Sequence, residues 1–139
     1  MIKEQSLSTS QLADSAADCL VIDIRPKNDY GKWHIMDSIN VDIYDEIWNN
    51  EFHSAAQKLL NIRTDKKIVA VCNAGVTAKT ASQMLQSQGK NSAYLENGMK
   101  GWNRLHKPFN AVEGSELLVI QIARIGKGCL SYIIASKSG

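Results

Sequence analysis

"KIVAVCNAGVTAKTASQMLQSQG", Lys67 to Gly89, passes from an apolar run into a cysteine, a short loop holding one glycine, and a helical pattern. Ile68, Val69, Ala70 and Val71 are the continuous apolar stretch expected of a parallel strand buried on both faces. Ala78, Ala81, Met84 and Leu85 then recur at helical spacing, and Gly89 supplies a left-handed stop. Strand, tight loop and helix in that order predict a parallel α/β layer fold. Cys72 stands at the carboxyl end of its strand, the edge where such sheets carry their functional loops.

The flanking sequence repeats the alternation. In "SLSTSQLADSAADC", Ser8 and Gln11 have capping-box spacing, with Leu12, Ala13, Ala16 and Ala17 on one helical face. "CLVIDI", Cys19 to Ile24, is a second near-continuous apolar strand, ended by Arg25-Pro26. "PKNDYGKWHIMDS" has turn and short-helix character, and a strand is expected from Ile39 to Ile43. "FHSAAQKLLNI" predicts a helix capped by Ser54 with Ala55, Leu59 and Ile62 inward. "SAYLE" and "NGMKGWNRL" close the unit as strand and turn-helix. From Phe109 onward, "ELLVIQIA" and "CLSYIIA" flank the turn "RIGKG" and predict a β-hairpin. The expected organisation is an α/β domain over 1–108 and a hairpin extension over 109–139. That hairpin carries Leu117, Val119, Ile120, Ile133 and Ile134 and needs something to pack on.

Composition narrows the function. Among 139 residues, 44% are hydrophobic and 22% charged, and the net charge of +2 is spread along the chain without a basic run. Neither nucleic acid nor a membrane is implied as a partner. No apolar segment has signal-peptide character or approaches the roughly 20 residues of a membrane span, so a cytoplasmic protein is expected. Cys19, Cys72 and Cys129 lack C-x-x-C spacing, and His34, His53 and His106 are scattered, so no metal site and no cofactor is expected.

Cys72 has two local readings. It closes a buried strand as a small apolar residue, or it is a nucleophile. Asn73 to Thr77 is too short to wander, so the backbone curls tightly, with Gly75 supplying the permissive torsion. The N–H groups of Asn73, Ala74, Gly75, Val76, Thr77 and Ala78 are then expected to ring an accessible sulfur. With the positive end of the following helix, such a nest favours a sulfur anion or a persulfide.

"LVIDIRPKNDYGKWHIMDSINV", "IVAVCNAGVTAKTASQMLQSQG" and "YLENGMKGW", in that order, resemble the rhodanese family of sulfurtransferases over about Leu7 to Leu105. The family pattern of Asp-x-Arg, Gly-His-Ile, C-x-x-G-x-R-S and Gly-Gly-x-x-x-Trp falls here on Asp23 and Arg25, His34 and Ile35, Cys72 and Gly75, and Gly98 and Trp102. The resemblance implies a rhodanese-like three-layer fold with a central parallel sheet. It also implies catalysis at Cys72, with Asn73 to Lys79 holding the substrate. Asp23, Arg25 and His34 are implied as structural residues near the site, Asp23 and His34 as a buried hydrogen-bonded pair. Trp102 is read as a core anchor, and Cys19 and Cys129 as inert.

The chain departs from the pattern at Trp33, at Asn97, and at Thr77 and Ala78, which replace Arg-Ser. Without that arginine the expected clamp on an anion such as thiosulfate is missing. Lys79 is the nearest substitute cation, and Thr77 is expected to cap the helix or to donate to a bound sulfur. The implied function is transfer of a sulfane sulfur, as a Cys72 persulfide, from thiosulfate or a thiol persulfide to a thiol acceptor. The alternatives are an inactive rhodanese-like binding or regulatory module and a cysteine-dependent phosphatase, which Thr77 disfavours. "VIQIARIGKGCLSYIIASKSG" resembles the opening hairpin of metallo-β-lactamase-fold proteins, including those fused to rhodanese domains, without the metal-binding motif of that fold. The hairpin is therefore expected to be the truncated start of a second domain of that fold, a homodimer contact, or an extra hairpin that completes this domain.

Overall fold

The computed structural model describes residues 3–113 and 116–138. The chain divides into two compact units, Met1–Gly101 and Trp102–Gly139. In the first, strands β1 (Ser6–Leu7), β2 (Cys19–Asp23), β3 (Ile39–Asn40), β4 (Lys67–Val71) and β5 (Ser92–Leu95) form a parallel sheet in the order β1-β5-β4-β2-β3. Helices α1 (Thr9–Ser15), α2 (Lys27–Lys32), α3 (Tyr44–Trp48), α4 (Phe52–Leu60), α5 (Val76–Ser87) and α6 (Gly98–Trp102) connect the strands.

The central strands are buried on both faces, as their unbroken apolar runs require. Val21, Asp23, Val69 and Val71 are buried on one face, and Ile22, Ile24, Ile68 and Ala70 on the other. The second set joins Ile43 and Ile47 of the α3 region, Ala55 and Leu59 of α4, and Ala78, Ala81 and Leu85 of α5 in one cluster. Strand parity continues past β4, so Cys72 follows Ile68 and Ala70 into this cluster.

Several local expectations need correction. The Ser8–Gln11 capping box is present, but only Leu12 of the proposed face is buried. The helix gives way to a 3-10 turn at 16–18, which leaves Ala16 and Ala17 exposed. Ser54 lies inside α4, whose cap position is Glu51. Ladder pairing of β3 stops at Asn40, although the Val41 and Ile43 N–H groups still donate to the carbonyls of Asp23 and Ile24. β1 and α3 were not anticipated.

In the second unit, β6 (His106–Glu113), β7 (Leu117–Arg124) and β8 (Cys129–Ser136) form an antiparallel sheet in that order. The expected hairpin is β7–β8, paired from Arg124–Cys129 to Leu117–Ser136. β6 is an additional strand, irregular between Asn110 and Val112. Pro108 concealed it in the sequence; an edge strand tolerates proline because one side of it has no ladder to supply. Trp102 is buried, and its carbonyl oxygen would lie only 2.6 Å from a Cβ at Gly126. No residue of β8 is buried. Among the described residues no helix is long and apolar enough to cross a membrane.

Candidate active site

Cys72 is held from two directions. From the loop side, its Sγ accepts the N–H groups of Gly75 at 3.1 Å and Ala78 at 3.4 Å, donors at the first turn of α5. Gly75 occupies the cap position of that helix with φ +94°, and a Cβ there would meet the Leu95 carbonyl oxygen at 3.2 Å. From the other side, the N–H groups of Met99 and Lys100 donate to the carbonyls of Cys72 and Asn73 at 2.8 and 3.0 Å. This approach needs Gly98, with φ +50°, because a Cβ there would lie 2.1 Å from the Cys72 carbonyl oxygen. The first turn of α6 therefore clamps the end of β4, and the first turn of α5 points its positive end at the sulfur.

The sulfur is not accessible as expected. Cys72 is 2% exposed, because strand parity aims it into the core beneath α5. Around it, Asn73, Ala74 and Val76 are exposed, Gly75, Thr77 and Ala78 are buried, and Lys79 is half-buried. Thr77 does not cap the helix: the cap has no side-chain hydrogen bond, and the buried Thr77 Oγ1 has no partner. Ala78 needs no side chain for its contact, since its backbone supplies the donor.

Asp23 pairs with Arg25 and not with His34. The Arg25 Nε donates to both Asp23 oxygens at 2.9 and 3.1 Å, an Arg25 amino nitrogen to Oδ2 at 2.6 Å, and the Arg25 backbone N–H to Oδ1 at 3.0 Å. The Arg25 guanidinium also donates to the Trp33 carbonyl at 2.7 Å, which ties the sheet to the segment after α2. His34 is exposed, stacks on Tyr30 at 3.9 Å and bonds the Tyr30 carbonyl through Nδ1. Two departures from the family pattern are explained by backbone conformation. Asn97 keeps a left-handed φ of +57° in place of glycine, and Trp33 is extended at φ −173°, which any residue adopts.

Beside the loop lies an open groove of roughly 490 Å³, lined by Ala74, Gly75 and Val76 and by Lys79, Tyr94 and Glu96. Lys79 is not a free cation. Its Nζ is 3.0 Å from Glu4 Oε1, which also accepts the Tyr94 hydroxyl at 3.0 Å. The hydrogen bond from Lys79, followed by that from Tyr94, lowers the Glu4 pKa, and the bond to Glu4 raises that of Lys79. Burial, then the Glu4 contact, raises that of Tyr94. Glu96 accepts the Ser6 hydroxyl at 2.5 Å. Sequence reasoning missed Tyr94 and Glu96, which the pairing of β5 with β4 brings here, and Glu4, which arrives through the pairing of β1 with β5. Among the described residues, no group of three or more His, Cys, Asp or Glu side chains is placed to hold a metal ion.

A parallel sheet that delivers a cysteine into a loop at a helix N-terminus defines a class of α/β proteins with one thiol at the carboxyl edge. Within it, this chain belongs to the rhodanese-like domain family, whose profile matches residues 8–105. It is 30% identical over 100 residues to the thiosulfate sulfurtransferase GlpE of Shewanella oneidensis, covering 70% of this chain and 90% of that protein. The fold is shared with a rhodanese-related protein of Thermoplasma volcanium, at 23% identity and TM-score 0.56, covering 70% of this chain and 89% of that one. It is also shared with the single-domain sulfurtransferase RDL2 of Saccharomyces cerevisiae, at 21% identity and TM-score 0.53, covering 72% and 89%.

Proposed function

We propose that this chain is a sulfurtransferase that carries sulfane sulfur as a persulfide on Cys72. The observation that carries the reading is the pair of first-turn N–H groups, Gly75 and Ala78, aimed at Sγ. Such donors favour negative charge on sulfur without a charged side chain. In the first half-reaction the Cys72 thiolate attacks the outer sulfur of the donor. A new S–S bond forms, the donor S–S bond breaks, and sulfite or a thiolate leaves. In the second, an acceptor thiolate takes the outer sulfur and returns Cys72 as thiolate. The buried, unpartnered Thr77 hydroxyl is the side-chain donor offered to the added sulfur. Because Cys72 is 2% exposed, the loop 73–77 has to admit the donor. Its partners in this reading are a small sulfur donor and a thiol acceptor, and three free cysteines suit a cytoplasmic, reducing setting. The likeness of β7–β8 to the opening hairpin of metallo-β-lactamase-fold proteins supports a separate proposal, a neighbouring domain of that fold.

Burial of Cys72 favours one competing reading, an inactive binding module. Intact mass after incubation with thiosulfate or a thiol persulfide, then with cyanide, separates the two. The chain is expected to gain the mass of one sulfur, to lose it to cyanide, and to gain none as Cys72→Ser. Equal labelling of Cys19 or Cys129, or no cyanide-labile sulfur at all, removes the sulfurtransferase reading.

A further inference from the structure

The groove beside the cysteine loop has a charge pattern that the transfer chemistry alone does not require. Gly75 both lines it and donates to Cys72 Sγ, so its wall lies one hydrogen bond from the thiol. Its volume, roughly 490 Å³, is in the range of small-molecule sites, and thiosulfate would fill a small part of it. The lining charges are Lys79 and Glu96, and Lys79 is already neutralised by Glu4. Glu96 spends one oxygen on the Ser6 hydroxyl, a neutral partner that does not offset a carboxylate charge. The carboxylates therefore exceed the cations. Asp23 and Arg25, also at this edge of the sheet, are buried and satisfy one another, and the exposed Lys100 is not among the residues that line the groove.

Resting on the sulfurtransferase reading, we propose that this groove takes an organic persulfide bearing an ammonium group, with Glu96 as the residue that holds the ammonium. A dianion such as thiosulfate meets net repulsion there, while an aminothiol persulfide places its cation at Glu96 and its outer sulfur toward the Gly75 wall. The transfer step is the one already balanced: the outer sulfur moves to Cys72, the donor S–S bond breaks, and the aminothiol leaves reduced. Selection acts on which donor is held, not on the bond that breaks.

The experiment compares a cationic donor, cysteamine persulfide, with an anionic one, 3-mercaptopropionate persulfide. The rate at which the full chain gains sulfur on Cys72 is followed by intact mass. Each rate is divided by that of a small free thiol under the same conditions, which removes the donors' intrinsic reactivities. At about 0.15 M ionic strength the cationic donor is expected to be favoured about three- to tenfold, the scale of one partly screened charge contact. In about 1 M salt the preference should largely disappear. Glu96→Gln, isosteric at an exposed position, should bring the ratio to within about twofold of unity; Lys79→Gln, which frees Glu4, should raise it. Equal normalised rates in the wild type, or a preference that survives Glu96→Gln, overturn the ammonium site and leave persulfide chemistry at Cys72 standing. Failure of either donor and of thiosulfate to load Cys72 overturns both.

Discussion

Replacing Arg25 with alanine is expected to cost about 3–5 kcal/mol, because it leaves the buried Asp23 carboxylate without its cation. Denaturant unfolding of Arg25→Ala measures this, and a loss below about 1 kcal/mol would show that the pair is dispensable. Asn97 and Gly98 are adjacent, both left-handed, and should respond differently. Gly98→Ala puts a carbon where the Cys72 carbonyl stands, so a loss of about 3 kcal/mol or more is expected, together with disturbed thiol reactivity. Asn97→Gly keeps the backbone conformation and should change stability by less than about 1 kcal/mol. The same unfolding measurement checks both. At this scale the sequence was informative wherever chemistry is local. Cys72, Gly75 and Ala78 meet within one loop, so N–H donors at the sulfur could be expected from spacing, although of the ring expected from Asn73 to Ala78 it is Gly75 and Ala78 that donate to Sγ. The partner of Asp23 depends on where the chain after α2 runs, and so the expected His34 contact was wrong.

Helix α5 links the site to the amino-terminal segment through Lys79 and Glu4. Folding lowers the Glu4 pKa, so its contribution is present above the ordinary value of 4.5 and is lost as pH falls through the lowered one. Folding raises that of Lys79, whose contribution is present below 10.5 and is lost as pH rises through the raised value. The tie therefore operates across neutral pH and fails at both extremes. Carboxyl NMR is expected to find Glu4 titrating below 4.5 in the wild type and closer to 4.5 in Lys79→Ala. An unchanged midpoint would mean that the ion pair does not form in solution. Long apolar runs made β2 and β4 readable, and helical spacing did the same for α5. The two-residue strand β1 has no periodicity to detect, and no pattern joins Glu4 to Lys79, which are neighbours only because β1 adds beside β5.

For the whole molecule, the family profile ends at Leu105 and the antiparallel sheet begins at His106. β8 is an edge strand of eight residues with no charged side chain from Cys129 to Ser136, and none of those residues is buried. Long, uncharged edges invite strand pairing. Sedimentation is expected to show a dimer for the full chain and a monomer for residues 1–105, with persulfide formation at Cys72 retained. If the shortened chain unfolds, the sheet belongs to the core of the rhodanese-like unit. The clamp on β4 has a further consequence, for the order of assembly. The carbonyls of Cys72 and Asn73 are secured by Met99 and Lys100, residues synthesised well after them. On the ribosome Cys72 emerges before its clasp, and a nascent chain displays it as an ordinary unanchored thiol until Lys100 has cleared the exit tunnel.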